Sequence, residues 1–359
     1  MASDHLELKT HEALDSQISF IIPVYNGEKT LRGTVESILK AKKNQDDIEV
    51  IIVENGSQDG TNVIIEELQQ QFDENVLKVF HSEKGVSNAR NKGILEARGI
   101  WISFVDADDA LVENAIDILL RDAQNEEAQL YTYGHRAGDD ERPVAVKRKV
   151  YNFDAVEAAK AKMISDPTKY MQAWGKLFKR KIILKNNLLF NPELSFAEDS
   201  DFTLQYLMHT NRICLCPEII YQYSLNQNSV MRTFTGEKTQ KYLDSLATTK
   251  KTVAGAPKSM TDAFNHYILM HLNIIMVWEV FSRDNPVAYG DKLEQMRRIT
   301  RAPIFHQAIQ GVKLWECRSA KMMPILLLKL KQYRLAAQVY RLRARQNAKK
   351  EETNWRLPD

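Results

Sequence analysis

Three carboxylates fall within four positions, Asp106-Ala107-Asp108-Asp109, directly after the apolar run Trp101-Ile102-Ser103-Phe104-Val105. Such a run reads as a strand that delivers charge to a site. Like charges a few ångströms apart repel and are poorly solvated at the end of a buried strand, so a bound cation is the simplest way to keep them all ionised. Hard oxygen ligands suit Mg2+ or Mn2+, and such an ion keeps positions open for substrate phosphates. The same residues would also serve as an acidic turn, with Asp109 or Asn114 capping the helix that follows.

The elements that must position this cluster form a repeating pattern. Apolar runs at Ile18 to Val24, Ile48 to Val53, Val76 to Phe80, Trp101 to Val105 and Ala128 to Tyr133 alternate with helical spacing at Glu28 to Lys40, up to about Gln71, Ser87 to Ala97 and Val112 to Arg121. Strands apolar on both faces and separated by helices predict a parallel sheet covered on both sides. Ligands in such open sheets bind at the carboxyl ends of the strands. Those ends carry Pro23-Val24-Tyr25-Asn26, Glu54-Asn55-Gly56-Ser57, His81-Ser82-Glu83-Lys84 and Asp106-Ala107-Asp108.

After Tyr133 the pattern changes. Residues 134–149 read as a loop or ragged hairpin, followed by helices at Asp154 to Ser165 and Lys181 to Asn186, a helix ending at His209, and a strand pair at Ile213 to Leu215 and Ile219 to Leu225. From Gly236 onward helical periodicity dominates. A boundary near Phe234 separates a domain at 17–234, in halves of about 17–133 and 134–234, from a helical region at 235–359.

Length and composition set the outer limits. A chain of 359 residues is too long for one typical domain and predicts one large catalytic unit plus an appendage. Net charge is +2, yet Lys321 to Asp359 holds ten Lys or Arg against three carboxylates, leaving the tail at +7 and the remainder at −5. That asymmetry points to an acidic surface, a membrane leaflet or nucleic acid. Met322 to Arg345 places Leu326, Leu330, Tyr333, Ala337 and Tyr340 at helical spacing among basic residues, as in a helix lying on an anionic leaflet or one packed in the C-terminal region. Nucleic acid is disfavoured because the aromatics are not interleaved with the basic residues.

No apolar run approaches the roughly 20 residues a membrane span requires, and the N-terminal stretch lacks a secretory pattern. Cys214 and Cys216, expected on opposite faces of one short strand, and distant Cys317 fit neither a disulfide framework nor a zinc site. The expected location is therefore the cytoplasm, at the inner face of the cell membrane. His81 and His135 have no partner motif. No G-x-G-x-x-G follows a strand and no P-loop occurs, which removes the main support for dinucleotide and NTPase readings.

With the first strand, Glu54-Asn55-Gly56-Ser57-Gln58-Asp59-Gly60-Thr61, Gly85-Val86-Ser87-Asn88-Ala89-Arg90-Asn91-Lys92-Gly93 and the Asp106 to Asp109 cluster in this order, the chain resembles bacterial family 2 glycosyltransferases of the GT-A fold over residues 17–232. The resemblance implies an α/β, Rossmann-like nucleotide-sugar domain, an inverting mechanism, a UDP-sugar donor and a role in capsule or exopolysaccharide assembly on a glycan or lipid-linked glycan. It sets Pro23, Tyr25, Glu28, Glu54, Ser57, Arg90, Asp106, Ala107 and Asp108 around the donor, with Tyr25 on the base, Glu28 near the diphosphate or ribose, Glu54 at the uracil imide, Asp106 at the ribose and Asp108 on the metal. The family more often has Asp-Asp where this chain has Glu54-Asn55. Arg90 faces the diphosphate or base, or pairs with Asp106 or Glu54 to hold the pocket open.

Inversion needs a base on the opposite face of the sugar, and Glu198-Asp199 matches the family's acidic pair, with Asp199 as the base. Ser195-x-x-Glu198 is also a capping-box pattern, so Asp199 would equally sit in a helix's first turn. Trp174 and Lys176 match an element near the acceptor cleft, where Trp174 stacks on a sugar or is core. Tyr221, Tyr223, Asn228 and Arg232 match a part near the donor phosphates, and Asp59 with Gly60 builds the turn before the second helix. A non-catalytic scaffold with this fold, partner to an active transferase, is the rival reading. A homo-oligomer is compatible with either.

Overall fold

The computed structural model describes residues 17–40, 47–224 and 234–354. These divide into two compact units, one of residues 17–159, 170–193 and 198–224 and the other of 160–169, 194–197 and 234–354.

The first unit opens with β1 (Ile18–Val24), α1 (Leu31–Leu39), β2 (Ile48–Glu54), α2 (Thr61–Gln71), β3 (Leu77–His81), α3 (Val86–Glu96) and β4 (Trp101–Phe104). The four strands run parallel in the order β3-β2-β1-β4. Every residue of β1 and β2 is buried, so both faces are covered and the strands show as unbroken apolar runs. α3 packs closely on β1 because Gly93 leaves room: a Cβ there would lie 2.3 Å from Ile21 Cγ2. β2 and β4 flank β1 on opposite sides, so the winding direction reverses at β1 and opens a crevice between the carboxyl ends of β1 and β4.

Beyond β4 come β5 (Ala110–Leu111), α4 (Ala115–Asn125), β6 (Leu130–Ala137), β7 (Asp140–Arg142), β8 (Lys149–Asn152), α5 (Asp154–Ser165), α6 (Pro167–Tyr170), β9 (Lys176–Lys179), α7 (Arg180–Lys185), α8 (Glu198–His209) and β10 (Arg212–Tyr223). β9 inserts antiparallel between β4 and β6, while β10 runs parallel to β6 and antiparallel to β5 and β8. Phe104, at the end of β4, meets Phe178, Phe190 and Phe202 edge to face at centroid distances of 5.8, 5.2 and 5.7 Å. That packing anchors the strand whose next residues are the carboxylate cluster.

Several expectations are corrected here. The strand pair at 213–225 is one strand, β10, carried past Pro217 by register shifts between Leu215 and Tyr221. Cys214 and Cys216 share a face, with sulfurs 3.5 Å apart, as side chains two residues apart on a strand must. Asp109 does not cap the helix that follows: its carboxylate accepts from Tyr221 Oη at 2.8 Å and from Ser224 N at 2.7 Å, tying the cluster to β10. α8 begins at Glu198, so Ser195 stands three residues ahead of the helix and the capping-box spacing is not realised.

The second unit is helical: α9 (Lys238–Thr252), α10 (Lys258–Ile275) continued by a π-helical turn (Met276–Val280), α11 (Tyr289–Arg301), α12 (Pro303–Gly311), α13 (Met323–Lys329) and α14 (Tyr333–Asn354). The tail is therefore two helices broken at Lys331, whose φ is 59°. Ala337 and Tyr340 are buried within this unit, Tyr340 Oη donating to Asn273 Oδ1 at 2.8 Å, while Leu330 is exposed. Of the rest of the stripe expected to face a leaflet or pack in this region, Leu326 and Tyr333 are half-buried. Among the described residues no helix is long and apolar enough to cross a membrane.

Candidate active site

The crevice between β1 and β4 is walled first by the β1–α1 turn. Asn26 takes a φ of 54°, its N–H donates to Ser57 Oγ at 2.9 Å, and its side-chain oxygen accepts from Gln58 N at 2.8 Å. Glu28 accepts from Gly60 N at 3.3 Å and its own N–H donates to Asp59 at 3.1 Å, so the turns after β1 and β2 lock together. Asp59 is a turn builder, also accepting from Thr61 N at 3.1 Å. Pro23 lies within buried β1, whereas Tyr25 is 41% exposed. Lys84 donates to the Tyr25 hydroxyl at 3.0 Å and lies 4.6 Å from its ring centroid, which fixes the ring as an open platform.

Glu54 ends β2 nearly buried, accepting from Gly56 N at 2.8 Å and from Ser57 N, with His81 Nδ1 3.3 Å away. Burial raises its pKa, but the hydrogen bonds from Ser57, His81 and Gly56 outweigh that and hold the carboxyl below its ordinary value. It therefore stays ionised. Asn55, which departs from the family's acidic pair, acts as a staple: its Nδ2 donates to Val24 O at 2.8 Å and its Oδ1 accepts from Gly85 N at 3.3 Å. These bonds join β1, β2 and the start of α3.

The opposite wall converges on Arg90 of α3, a residue only 3% exposed. Its guanidinium donates to Asp106 Oδ1 at 2.9 Å, to Glu198 Oε1 at 3.4 Å and to Asp199 Oδ1, and lies 5.1 Å from the Phe190 ring centroid. One cation thus ties the end of β4 to the first turn of α8. Its acidic partner from the strands is Asp106 and not Glu54, and both terminal nitrogens are turned to carboxylates. The second oxygen of Asp199 accepts from Ala173 N at 3.2 Å.

Two of these carboxyls are pushed upward. Burial, together with the charges of Asp199 and Asp108, outweighs Arg90 and raises Asp106 to about 6. Glu198 rises to about 7 through burial and the Asp199 charge. Asp109, buried beside Asp106 and Asp108, rises to about 8. The pocket thus carries more negative charge than Arg90 neutralises, while Asp108 points outward and exposed. Among the described residues no cluster of three His, Cys, Asp or Glu stands ready to hold a metal by protein ligands alone.

Trp174, bridged to Phe104, stacks on Tyr221 at 4.5 Å and on Tyr223 at 5.8 Å, with His135 edge-on at 4.9 Å. Tyr221 Oη accepts Asp106 N–H at 3.1 Å while donating to Asp109, so the stack buttresses the acidic loop. Lys176 is fully buried and donates to Gln172 O at 2.6 Å; desolvation drives its pKa down to about 7 against the pull of Asp199. The structure thus gathers Tyr25, Glu28, Glu54, Ser57, Arg90, Asp106, Ala107, Asp108 and Asp199 around one sheet edge. Asn228 and Arg232 lie outside the described residues. Lys84 and Asn55 carry no assigned role in the sequence reading beyond their place at the carboxyl edge where β3 and β2 end; here Lys84 fixes the Tyr25 ring and Asn55 staples β1 to the start of α3. His135, left without a role, is the edge partner of Trp174.

The family model described as glycosyl transferase family 2 matches residues 19–186. The uncharacterized glycosyltransferase EpsJ of Bacillus subtilis (strain 168) is 26% identical over 310 residues, covering 83% of this chain and 88% of EpsJ. The poly(ribitol-phosphate) beta-N-acetylglucosaminyltransferase TarP of Staphylococcus aureus (strain N315) is 26% identical over 222 residues, 58% of this chain and 63% of TarP. Among solved structures, S. aureus TarS 1-349 in complex with UDP-GlcNAc superposes with a TM-score of 0.64 at 20% identity, covering 92% of both chains.

Proposed function

We propose that the chain, which the family 2 glycosyltransferase model matches over residues 19–186, is a member of that family and transfers a sugar from a UDP-sugar, with inversion, to a hydroxyl of a glycan or lipid-linked glycan acceptor in the synthesis of a bacterial surface polysaccharide. The observation that carries this reading is the convergence of Asp106, Glu198 and Asp199 on Arg90 at the edge where the sheet's winding reverses.

In this reading the uracil lies on Tyr25 with its imide N–H donated to the ionised Glu54, and the ribose hydroxyls face Asp106. The crowding of Asp106, Asp108 and Asp109 fits a hard divalent cation, Mg2+ or Mn2+, which Asp108 would hold. Such an ion would supply Lewis-acid stabilisation of charge on the leaving UDP. The acceptor hydroxyl attacks the anomeric carbon as its bond to the UDP oxygen breaks, and Asp199 takes the hydroxyl proton. Arg90 and Ala173 N hold the two Asp199 oxygens so that the carboxylate is rigid. Glu198 is the second reading for the base, favoured by a pKa near neutrality.

UDP release from a panel of UDP-hexoses and UDP-N-acetylhexosamines, with Mn2+ or EDTA, tests the assignment on wild type, Asp108→Ala, Asp199→Asn and Glu198→Gln. One donor is expected to turn over with metal only. Asp108→Ala should abolish that metal-dependent turnover, and Asp199→Asn should slow turnover by about 10²–10⁴ with UDP binding kept. Loss in Glu198→Gln with Asp199→Asn active would move the base to Glu198. No turnover of any donor in wild type would sink the reading.

A further inference from the structure

The second unit holds a cavity of about 290 Å³ whose wall contains four cations and no carboxylate: Arg283, Lys292, Arg341 and Arg345 stand around it with Ser282 and Tyr289. Phe281 and Ala344 complete the lining as an apolar floor, with exposed Val287 at the rim. That volume sits at the lower end of small-ligand pockets, roughly 300 Å³, with room for a phosphate and a small attached group.

The arrangement is built, not incidental. Lys292 is held on one side by the carbonyls of Ser282 at 3.2 Å and Asn285 at 2.8 Å. Arg341 is held over the Tyr289 ring, 5.4 Å from its centroid. Arg341 and Arg345 are four residues apart on α14 and so project from the same face, where like charges at this spacing oppose helix stability. Neither has a carboxylate partner among the described residues. Two carboxylates adjoin lining residues in sequence, Asp284, 3.7 Å from Arg283, and Asp291, next to Lys292; both are exposed. Burial and the neighbouring Arg341 charge hold the Lys292 ammonium below its ordinary pKa, as expected where positive charge is left uncompensated. A dianion received between two guanidinium forks, with an ammonium behind and a hydroxyl at the side, would relieve that repulsion.

We propose that this cavity is a binding site for a phosphate ester, the phosphate engaged by Arg341, Arg345 and Lys292 and the attached group lying on Tyr289 and the apolar floor. Two sources offer that chemistry, a soluble phosphate ester or the headgroup of an anionic phospholipid.

The test uses the full chain. Glycerol 3-phosphate binding is followed by calorimetry, and sedimentation is measured with phosphatidylglycerol/phosphatidylcholine vesicles and with phosphatidylcholine vesicles alone. Wild type is compared with Arg341→Gln/Arg345→Gln, with Lys292→Met, and with the charge-matched control Arg298→Gln/Arg301→Gln on exposed positions of α11. Saturable binding that weakens by roughly tenfold or more in the pocket variants and not in the control is the expected result. If glycerol 3-phosphate shows this pattern the site takes soluble esters; if only the phosphatidylglycerol vesicles show it, the source is the lipid headgroup. Binding of neither probe, or equal loss in the control pair, overturns the proposal and leaves only diffuse surface charge.

Discussion

Arg90→Met is the most informative single change, because it deletes the one cation shared by Asp106, Glu198 and Asp199 while keeping an unbranched apolar stem. Arg90 is 3% exposed and its removal leaves three carboxyls facing one another without an ion-pair partner. Breaking a buried ion pair from one side costs about 3–5 kcal/mol, and that is the loss of unfolding free energy expected at pH 8. The loss must depend on pH. Even with Arg90 present, Asp106 and Glu198 ionise only near 6 and 7. Without it their folded pKa values climb further above the unfolded value of about 4, so the folded variant binds protons that the unfolded chain has released, and stability falls as pH rises through that window. Urea unfolding at pH 5, 6.5 and 8 should show the gap between wild type and variant shrinking steadily toward pH 5. Adding Asp199→Asn to Arg90→Met should recover part of the loss, because one of the stranded charges is gone. A deficit under about 1 kcal/mol, or one of the same size at all three pH values, would refute the account of Arg90 as the electrostatic keystone of the site.

Two further expectations come from the aromatic buttress. Burial, Arg142 and Lys176 depress the His135 pKa from 6.5 to about 4, so stability fully present above 6.5 is lost as pH falls toward 4, when only the unfolded chain gains the proton. The drop is worth up to about 3 kcal/mol, and urea midpoints at pH 7 and 4.5 should show it in wild type and not in His135→Gln. Tyr221→Phe keeps the ring stacked on Trp174 but removes the hydroxyl that serves both Asp106 N and Asp109; unfolding free energy should fall by about 1–3 kcal/mol, and the donor KM should rise more than kcat falls. An unchanged donor KM would separate Tyr221 from the acidic loop.

The half of the sheet that bears the candidate donor site was legible because its physics is local. β1, β2 and β4 are buried on both faces and so appear as uninterrupted apolar runs, and the residues after each run lie on the functional edge by topology alone. The other half lacks such a signal: β7 is exposed throughout, β8 and β9 have four residues each, and β10 contains Pro217, which reads as a break although the strand passes it by shifting register. The tail's division at Lys331 was equally hidden, since neither glycine nor proline marks it.

The least legible feature is also the one on which the site turns. Arg90 and Asp199 are 109 positions apart, and no periodicity, capping rule or turn preference links residues at that distance. Local reading could place Arg90 on the helix that faces the pocket and Asp199 in the first turn of another helix, and each had a sufficient local explanation. Only the insertion of β9 between β4 and β6 carries the chain through Ala173 and Trp174 back to the carboxyl edge, where α8 can present its first turn to α3. The antiparallel strand that interrupts the parallel β/α pattern is thus what brings the candidate base against the candidate donor site.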